Sequence, residues 1–326
     1  MGLHCNGSME NAVLKSGIRV QQSVNRKCPM CDSESHRVIA SIRAKDFTVR
    51  NNKTYRPECF DLLEISPDEA YPLASCCQCG FFYAAHLPSN TFLQTVYDEA
   101  IDHSKTITET ISYRREVLEK LAVVLGEVDD RPRRLLDFGC GYGHALRILN
   151  MRDLQCLGFD VSAERLVRAG LMVTSDIEEL RKKGPFDVIL CFDVLEHVPY
   201  PNKTLKLLAA LSSERTLLAI NVPDLCSELS PEAIQAAILR GTLGRAINLW
   251  EHLNYFTASN LRAALEAQGF VPYRRLARPQ DLGFVPQARG LHRVRNAIGV
   301  ALRALRYKEN LGTAVICHRD HARGGV

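Results

Sequence analysis

Leu135-Leu136-Asp137-Phe138-Gly139-Cys140-Gly141-Tyr142-Gly143 is the stretch on which the reading of this 326-residue chain turns. An apolar strand ends in a carboxylate, three glycines follow two apart, and Ala145-Leu146-Arg147-Ile148-Leu149 starts a helix. Glycine permits a positive φ and lets a ligand press against bare backbone. A dinucleotide-binding turn would want its third glycine where His144 stands. Asp137 beside the loop repels a pyrophosphate and suits a ligand carrying an ammonium group. Asp160 ends the next apolar run, Leu157-Gly158-Phe159-Asp160, where a carboxylate takes both hydroxyls of a ribose. Asp176 follows the third run, in a place to meet an adenine edge.

Outward from this loop, short apolar runs alternate with amphipathic segments. The runs are Arg134–Phe138, Gln155–Phe159, Leu171–Thr174, Phe186–Phe192 and Thr216–Val222, with Val271–Leu276 and Thr313–His318 as the last two strands. Strands alternating with helices pair in parallel through right-handed crossovers, which predicts an α/β protein with a doubly wound, seven-stranded, mostly parallel sheet. Ahead of it, Val117, Leu118, Leu121, Val124 and Leu125 recur at helical spacing. The expected organisation is a flexible tail (1–25), a cysteine-bearing zinc ribbon (26–90), a helical linker and cofactor lid (91–130) and an α/β domain (131–326). Residues 276–310 form a basic helical insertion before the last strand.

With 46% hydrophobic and 24% charged residues and a formal net charge of +4, disordered and collagen-like readings fall away. No stretch approaches the roughly 18 apolar residues of a spanning helix, and Met1–Asn25 lacks the core of a secretory signal. The expected location is the cytoplasm. Six of twelve cysteines lie between residues 28 and 79. Cys28-Pro29-Met30-Cys31 and Cys76-Cys77-Gln78-Cys79-Gly80 each supply a C-x-x-C step, and two such knuckles give the four sulfurs of a closed structural zinc site, Cys28, Cys31, Cys76 and Cys79. The long loop between them costs only logarithmically more to close.

These segments together resemble the class I S-adenosylmethionine-dependent methyltransferases. The resemblance takes in Leu135 to Gly143, Gly158-Phe159-Asp160, Ser175-Asp176-Ile177, Phe186 to Val198, and Trp250-Glu251-His252-Leu253-Asn254-Tyr255-Phe256-Thr257. It implies that Asp137, Gly139, Gly141 and Gly143 hold the methionine part of the cofactor. By the same resemblance Asp160 holds the ribose, Asp176 and Ile177 flank the adenine, and Phe192 and Asp193 line the floor. A cysteine ribbon ahead of the glycine loop is similar to a group that methylates sugars, polysaccharides or secondary metabolites, so a small-molecule or glycan acceptor is expected. Sugar C-methyltransferases of that kind carry a further C-terminal domain, and the end of this chain soon after its last strand favours an O- or N-acceptor.

The sulfonium methyl is already activated, so transfer needs alignment and, for a hydroxyl, a base. His252 is the expected base, with Glu251 beside it and Tyr255 three residues on; a turn-capping histidine is the alternative. His197 is expected to be structural, and Tyr97, His103 and Tyr113 are candidates to roof the pocket. Leu291, Val294, Ile298, Leu302 and Leu305 fall on one helical face amid arginines, so residues 289–308 either touch an anionic membrane or glycan or pack that face on the sheet. The modest charge and the lack of aromatic-plus-basic interleaving argue against nucleic acid. An RNA methyltransferase and a non-catalytic cofactor-binding scaffold are the rival functions.

Overall fold

The structure, a computed structural model, describes residues 26–45, 55–100, 121, 124–125, 134–150, 155–161, 167, 170–225, 230–240, 247–248, 250–275 and 313–319. The expected tail, most of the expected linker with His103 and Tyr113, and the basic segment 276–310 lie outside these residues. Among the described residues the strands are β1 (His36–Arg43), β2 (Ala70–Cys76), β3 (Phe82–Ala84), β4 (Leu135–Phe138), β5 (Cys156–Phe159), β6 (Val173–Thr174), β7 (Phe186–Phe192), β8 (Ser212–Val222), β9 (Asn254–Tyr255), β10 (Phe270–Arg275) and β11 (Thr313–Arg319). The α-helices are α1 (Cys59–Leu62), α2 (Asn90–Thr95), α3 (His144–Asn150), α4 (Ile177–Lys183), α5 (Pro201–Ala210), α6 (Pro231–Arg240) and α7 (Ala258–Glu266). No described helix is long and apolar enough to cross a membrane.

The chain divides into two compact units. The first draws its described residues from Met1–Thr110, Glu196–Asn202 and Leu225–Phe256. Its antiparallel sheet runs β1-β2-β3-β9. The last strand is only two residues long and arrives from far along the chain to pair Tyr255 with Phe82 and Asn254 with Tyr83. Tyr55, Phe82, Phe92, Trp250 and Tyr255 share one core with Leu63, Leu73 and Ile247. Trp250 is fully buried, edge-on to Tyr55 at 4.6 Å between ring centroids. Burying a large aromatic ring contributes about 2–3 kcal/mol, which helps hold the distant segment in place. The linear division had assigned residues 196–202 and 225–256 to the α/β domain; in the structure they complete the cysteine-bearing unit.

The second unit comprises the described residues of Ile111–Leu195, Lys203–Asp224 and Thr257–Val326. Its sheet runs β6-β5-β4-β7-β8-β11-β10, with β6, β5, β4, β7 and β8 paired in parallel and β11 antiparallel to both neighbours. This is the doubly wound, mostly parallel, seven-stranded sheet expected from the run pattern. β4, β5 and β7 are nearly continuous apolar runs because a strand flanked by parallel neighbours is covered on both faces. At Gly158 in β5 an added Cβ would lie 2.7 Å from Leu146 Cδ1, so the missing side chain lets α3 sit close on the sheet. The chain leaves β4 toward β5 and β6 on one side, then returns to build β7 and β8 on the other. That reversal opens a crevice at the carboxyl ends of β4 and β7, the place where open α/β sheets bind ligands.

Candidate functional site

The glycine loop sits at that reversal. Gly139, Gly141 and Gly143 adopt φ values of 75°, 49° and 69°, in the region that side chains other than glycine resist. Gly139 N and Cys140 N both donate to Phe159 O, at 2.8 and 3.0 Å, tying the loop to the end of β5. A Cβ at Gly139 would fall 2.3 Å from Val194 Cγ2, so the loop is pressed against its own support. Gly141 N donates to Asp160 Oδ2 at 2.8 Å. Asp137 is buried, and burial first, then the nearby Asp160 charge, pushes its carboxyl up to about 7. A buried carboxyl of this kind is short of positive charge, and a ligand ammonium supplies it. Asp193 also takes a positive φ of 55°. It is held there by its own N–H donating to Asn221 O at 2.9 Å and by Asn221 Nδ2 donating to Asp193 Oδ1.

The raised Asp137 carboxyl has a consequence for stability. An unfolded aspartate titrates near 4, so between about pH 4 and 7 the unfolded chain loses a proton that the folded chain keeps. The contribution of Asp137 is therefore fully present below pH 4 and declines to its minimum above 7, by on the order of a few kcal/mol. Chemical denaturation of the ligand-free protein at pH 5 and pH 8 should show this decline, and Asp137→Asn should flatten it. A wild-type profile matching that of the variant would contradict the assignment.

In the other unit, Glu196, His197 and His252 place one ligating atom each within 4.8 Å of one another. Backbone hydrogen bonds set this up: Leu253 N and Asn254 N donate to Glu196 O at 2.7 and 3.1 Å. Buried Arg26 reinforces them, donating to Leu253 O at 2.7 Å, to Asn254 Oδ1 at 2.8 Å and to Pro199 O, while Asn254 Nδ2 donates to Val198 O at 2.7 Å. Burial lowers the Arg26 guanidinium to about 10, leaving it charged at neutral pH. Glu196 is 1% exposed. His197 Nδ1 lies 3.0 Å from Glu251 O, and its Nε2 lies 3.8 Å from Glu196 Oε1. The His197 and His252 rings meet edge-on at 4.8 Å. Burial pushes His197 down to about 4, so at neutral pH it is an uncharged imidazole.

The four cysteines of the two knuckles also converge. Cys28 Sγ is 3.6 Å from Cys79 Sγ, Cys31 Sγ is 3.6 Å from Cys76 Sγ, and all four sulfurs lie within 4.8 Å of one another. Zinc–sulfur bonds of about 2.3 Å in a tetrahedron separate the sulfurs by about 3.8 Å, so the donor set and its spacing fit a closed zinc site. Each knuckle ends in a left-handed residue, Asp32 at φ 59° and Gly80 at φ 70°.

Comparison with known proteins agrees with the glycine loop. The sequence profile of the methyltransferase-domain family matches residues 111–274, just over half of the chain. The chain belongs to this family. It is an S-adenosylmethionine-dependent methyltransferase of class I fold. This methyltransferase is 28% identical over 186 residues to the ubiquinone biosynthesis O-methyltransferase of Burkholderia vietnamiensis, covering 52% of this chain and 71% of that one. It is 32% identical over 91 residues to the protein of the same name from Bordetella avium, covering 24% of this chain and 38% of that one. Among solved structures it is similar to the 1,6-didemethyltoxoflavin-N1-methyltransferase of Burkholderia thailandensis, with a TM-score of 0.44 at 17% identity over 75% of this chain and 97% of that one.

Within this methyltransferase the residues expected to hold the cofactor lie on β4 and β7 and in the segments that follow β4, β5, β6 and β7. Asp176 serves locally as the N-cap of α4, its Oδ1 accepting from Glu178 N at 2.9 Å, and Ile177 is 40% exposed. The expected trio of His252, Glu251 and Tyr255 is parted. The Glu251 carboxylate accepts from Tyr55 Oη at 2.7 Å and from Asn248 Nδ2. Tyr255 is buried in the core with Trp250, and burial pushes its phenol upward. His252 instead meets His197 and Glu196. Sequence reasoning set Glu196 and His197 aside; the one available signal was two polar, ligating residues directly after an apolar strand.

Proposed function

We propose that this methyltransferase transfers a methyl group to a hydroxyl of a small molecule. The observation that carries the proposal is the cluster of buried Glu196 with the part-buried His197 and His252, a set of groups suited to managing an acceptor proton. The O-methyltransferase names of the curated relatives support a small hydroxylated acceptor over a glycan. Asp137, Gly139, Gly141 and Gly143 would hold the amino-acid part of S-adenosylmethionine, Asp160 the ribose, Asp176 and Ile177 the adenine, and Phe192 and Asp193 the floor. The bare, positive-φ backbone at Gly139 and the proton-hungry Asp137 fit that group. When bound, the cofactor supplies an activated methyl on a sulfonium sulfur. His252 is the residue assigned to the acceptor proton, with His197 and Glu196 setting its surroundings. Glu251 acts through its backbone carbonyl, which orients His197, and Tyr255 through packing.

Incubating the purified chain with methyl-labelled S-adenosylmethionine and separate pools of phenols, sugar nucleotides and RNA tests the acceptor class. Label should enter phenolic oxygen. Label confined to RNA or glycan would overturn the assignment.

We further assign Cys28, Cys31, Cys76 and Cys79 to a structural zinc ion, supported by sulfur spacings close to a tetrahedral edge. Such a site leaves no open position for chemistry. Cys79→Ser should lose about one equivalent of zinc and melt the cysteine-bearing unit first, because binding free energy of a structural metal is folding free energy. Hydrogen exchange resolved by segment reads this out, and unchanged protection of residues 26–85 would rule it out.

A further inference from the structure

We propose that Arg26 is a positioning residue for methyl transfer: it holds His252 and His197 in register and so makes the cysteine ribbon part of the acceptor side of the site. The inference rests on the hydroxyl-acceptor reading above, in which His252 takes the acceptor proton. Arg26 stands two residues ahead of Cys28, and its own N–H donates to Ala85 O at 3.1 Å, just past β3. The knuckle that follows is closed by Cys28 N donating to Ser33 O at 2.8 Å and by Asp32 N donating to Cys28 O at 2.9 Å. Asn202 Nδ2 donates to Met30 O at 2.9 Å, so the knuckle is also tied to the chain that carries His197. From this anchored base the Arg26 side chain crosses the buried ring of Tyr83, its guanidinium carbon 5.7 Å from the ring centroid.

The two terminal nitrogens then join two segments distant in sequence. Nη1 donates to Leu253 O at 2.7 Å, and Nη2 donates to Asn254 Oδ1 at 2.8 Å and to Pro199 O. Asn254 Nδ2 passes the link on to Val198 O at 2.7 Å, and the amides of Leu253 and Asn254 close it on Glu196 O. His197 lies inside the first segment and His252 directly precedes the second, with their rings edge-on at 4.8 Å. Every one of these guanidinium acceptors is a main-chain or amide oxygen of the two segments, and none is a carboxylate. A buried cation used in this way fixes the register of the segments instead of neutralising a partner. Burial of Trp250 brings the distant chain to the ribbon, but apolar contact has no direction, whereas hydrogen bonds from a charged donor do. Arginine suits the task because its planar fork spans three oxygens at once, while an ammonium is a point charge. A misplacement of about 1 Å costs on the order of 10²-fold in rate.

The test compares single-turnover rates of the full chain, with methyl-labelled S-adenosylmethionine and the phenol pool, in Arg26→Met, Arg26→Lys, His252→Ala and the combined Arg26→Met, His252→Ala variant. Arg26→Met keeps the length of the side chain and should slow transfer by about 10–100-fold. Its cofactor affinity by calorimetry should stay within about three-fold of wild type, and its metal content should be unchanged. Arg26→Lys keeps the charge, guards against a folding defect and should recover part of the loss. In the His252→Ala background Arg26→Met should cost less than about three-fold, since residues that act through one another are not additive. Hydrogen exchange at Leu253 and Asn254 should quicken about tenfold or more in Arg26→Met while β2 keeps its protection. A slow His252→Ala beside unchanged turnover in Arg26→Met, or fully additive losses, would overturn the role of Arg26 alone. Cofactor affinity falling in proportion to rate would also overturn it, leaving Arg26 a folding contact. Wild-type turnover in His252→Ala would sink the acceptor-proton reading itself, and this role with it.

Discussion

Gly139→Ala should abolish binding of S-adenosylmethionine and lower the melting temperature by roughly 5–15 °C. Two costs add at this position. A left-handed backbone with a side chain costs about 1–2 kcal/mol. The new Cβ would also stand 2.3 Å from Val194 Cγ2, and valine has few rotamers to offer in escape. Overpacking of this kind costs about 1–3 kcal/mol, and relief by moving the loop would break the paired donation of Gly139 and Cys140 to Phe159 O. Gly141→Ala is the control. It has a φ of 49° and nothing within 4 Å of an added Cβ, so it carries the backbone strain without the collision. Calorimetry with the cofactor and a thermal melt on both variants decide the matter. Binding at wild-type strength in Gly139→Ala would mean that the loop is not the cradle.

His252→Ala should reduce turnover by about 10²–10⁴-fold while leaving cofactor binding within a few-fold of wild type. The split is expected because the residues proposed to hold the cofactor lie at β4 and β7 and in the segments after β4, β5, β6 and β7, whereas His252 meets His197 and Glu196 in the other compact unit. The loss follows from the role proposed for the imidazole, as the base for the acceptor proton. Single-turnover rates within three-fold of wild type would remove His252 from the chemistry altogether. The Glu251 carboxylate gives a useful contrast. Glu251→Gln keeps the backbone carbonyl that orients His197, and its effect should be much smaller than that of His252→Ala.

The glycine-loop half of the candidate site was legible because its information is local. Asp137 and the three glycines lie within seven residues, and Asp160 ends the next strand, so spacing alone placed them on one edge of a parallel sheet. The cysteine knuckles were legible for the same reason, each being a four-residue step. The cluster of Glu196, His197 and His252 was not. Glu196 and His197 are neighbours, but His252 stands more than fifty residues on, and no periodicity links it to them. The sequence also suggested that Glu251 and Tyr255 act with His252 because they are neighbours in the chain. In the structure they have different partners, since Glu251 lies in a turn, where His252 N donates to Asn248 O at 2.9 Å, while Tyr255 lies in β9 and is buried in the core.

The primary sequence alone therefore determined the sheet, the glycine turn, its acidic companions and the pairing of thiols, since each depends on residues close together in the chain. Only the tertiary structure decided that Asn254 and Tyr255 extend the cysteine-bearing sheet, that Arg26 clamps their backbone, and that His252 comes to rest against Glu196. Those outcomes depend on long-range hydrogen bonds and on the burial of Trp250. A two-residue strand or a single buried arginine leaves no pattern in the sequence from which such contacts could be read.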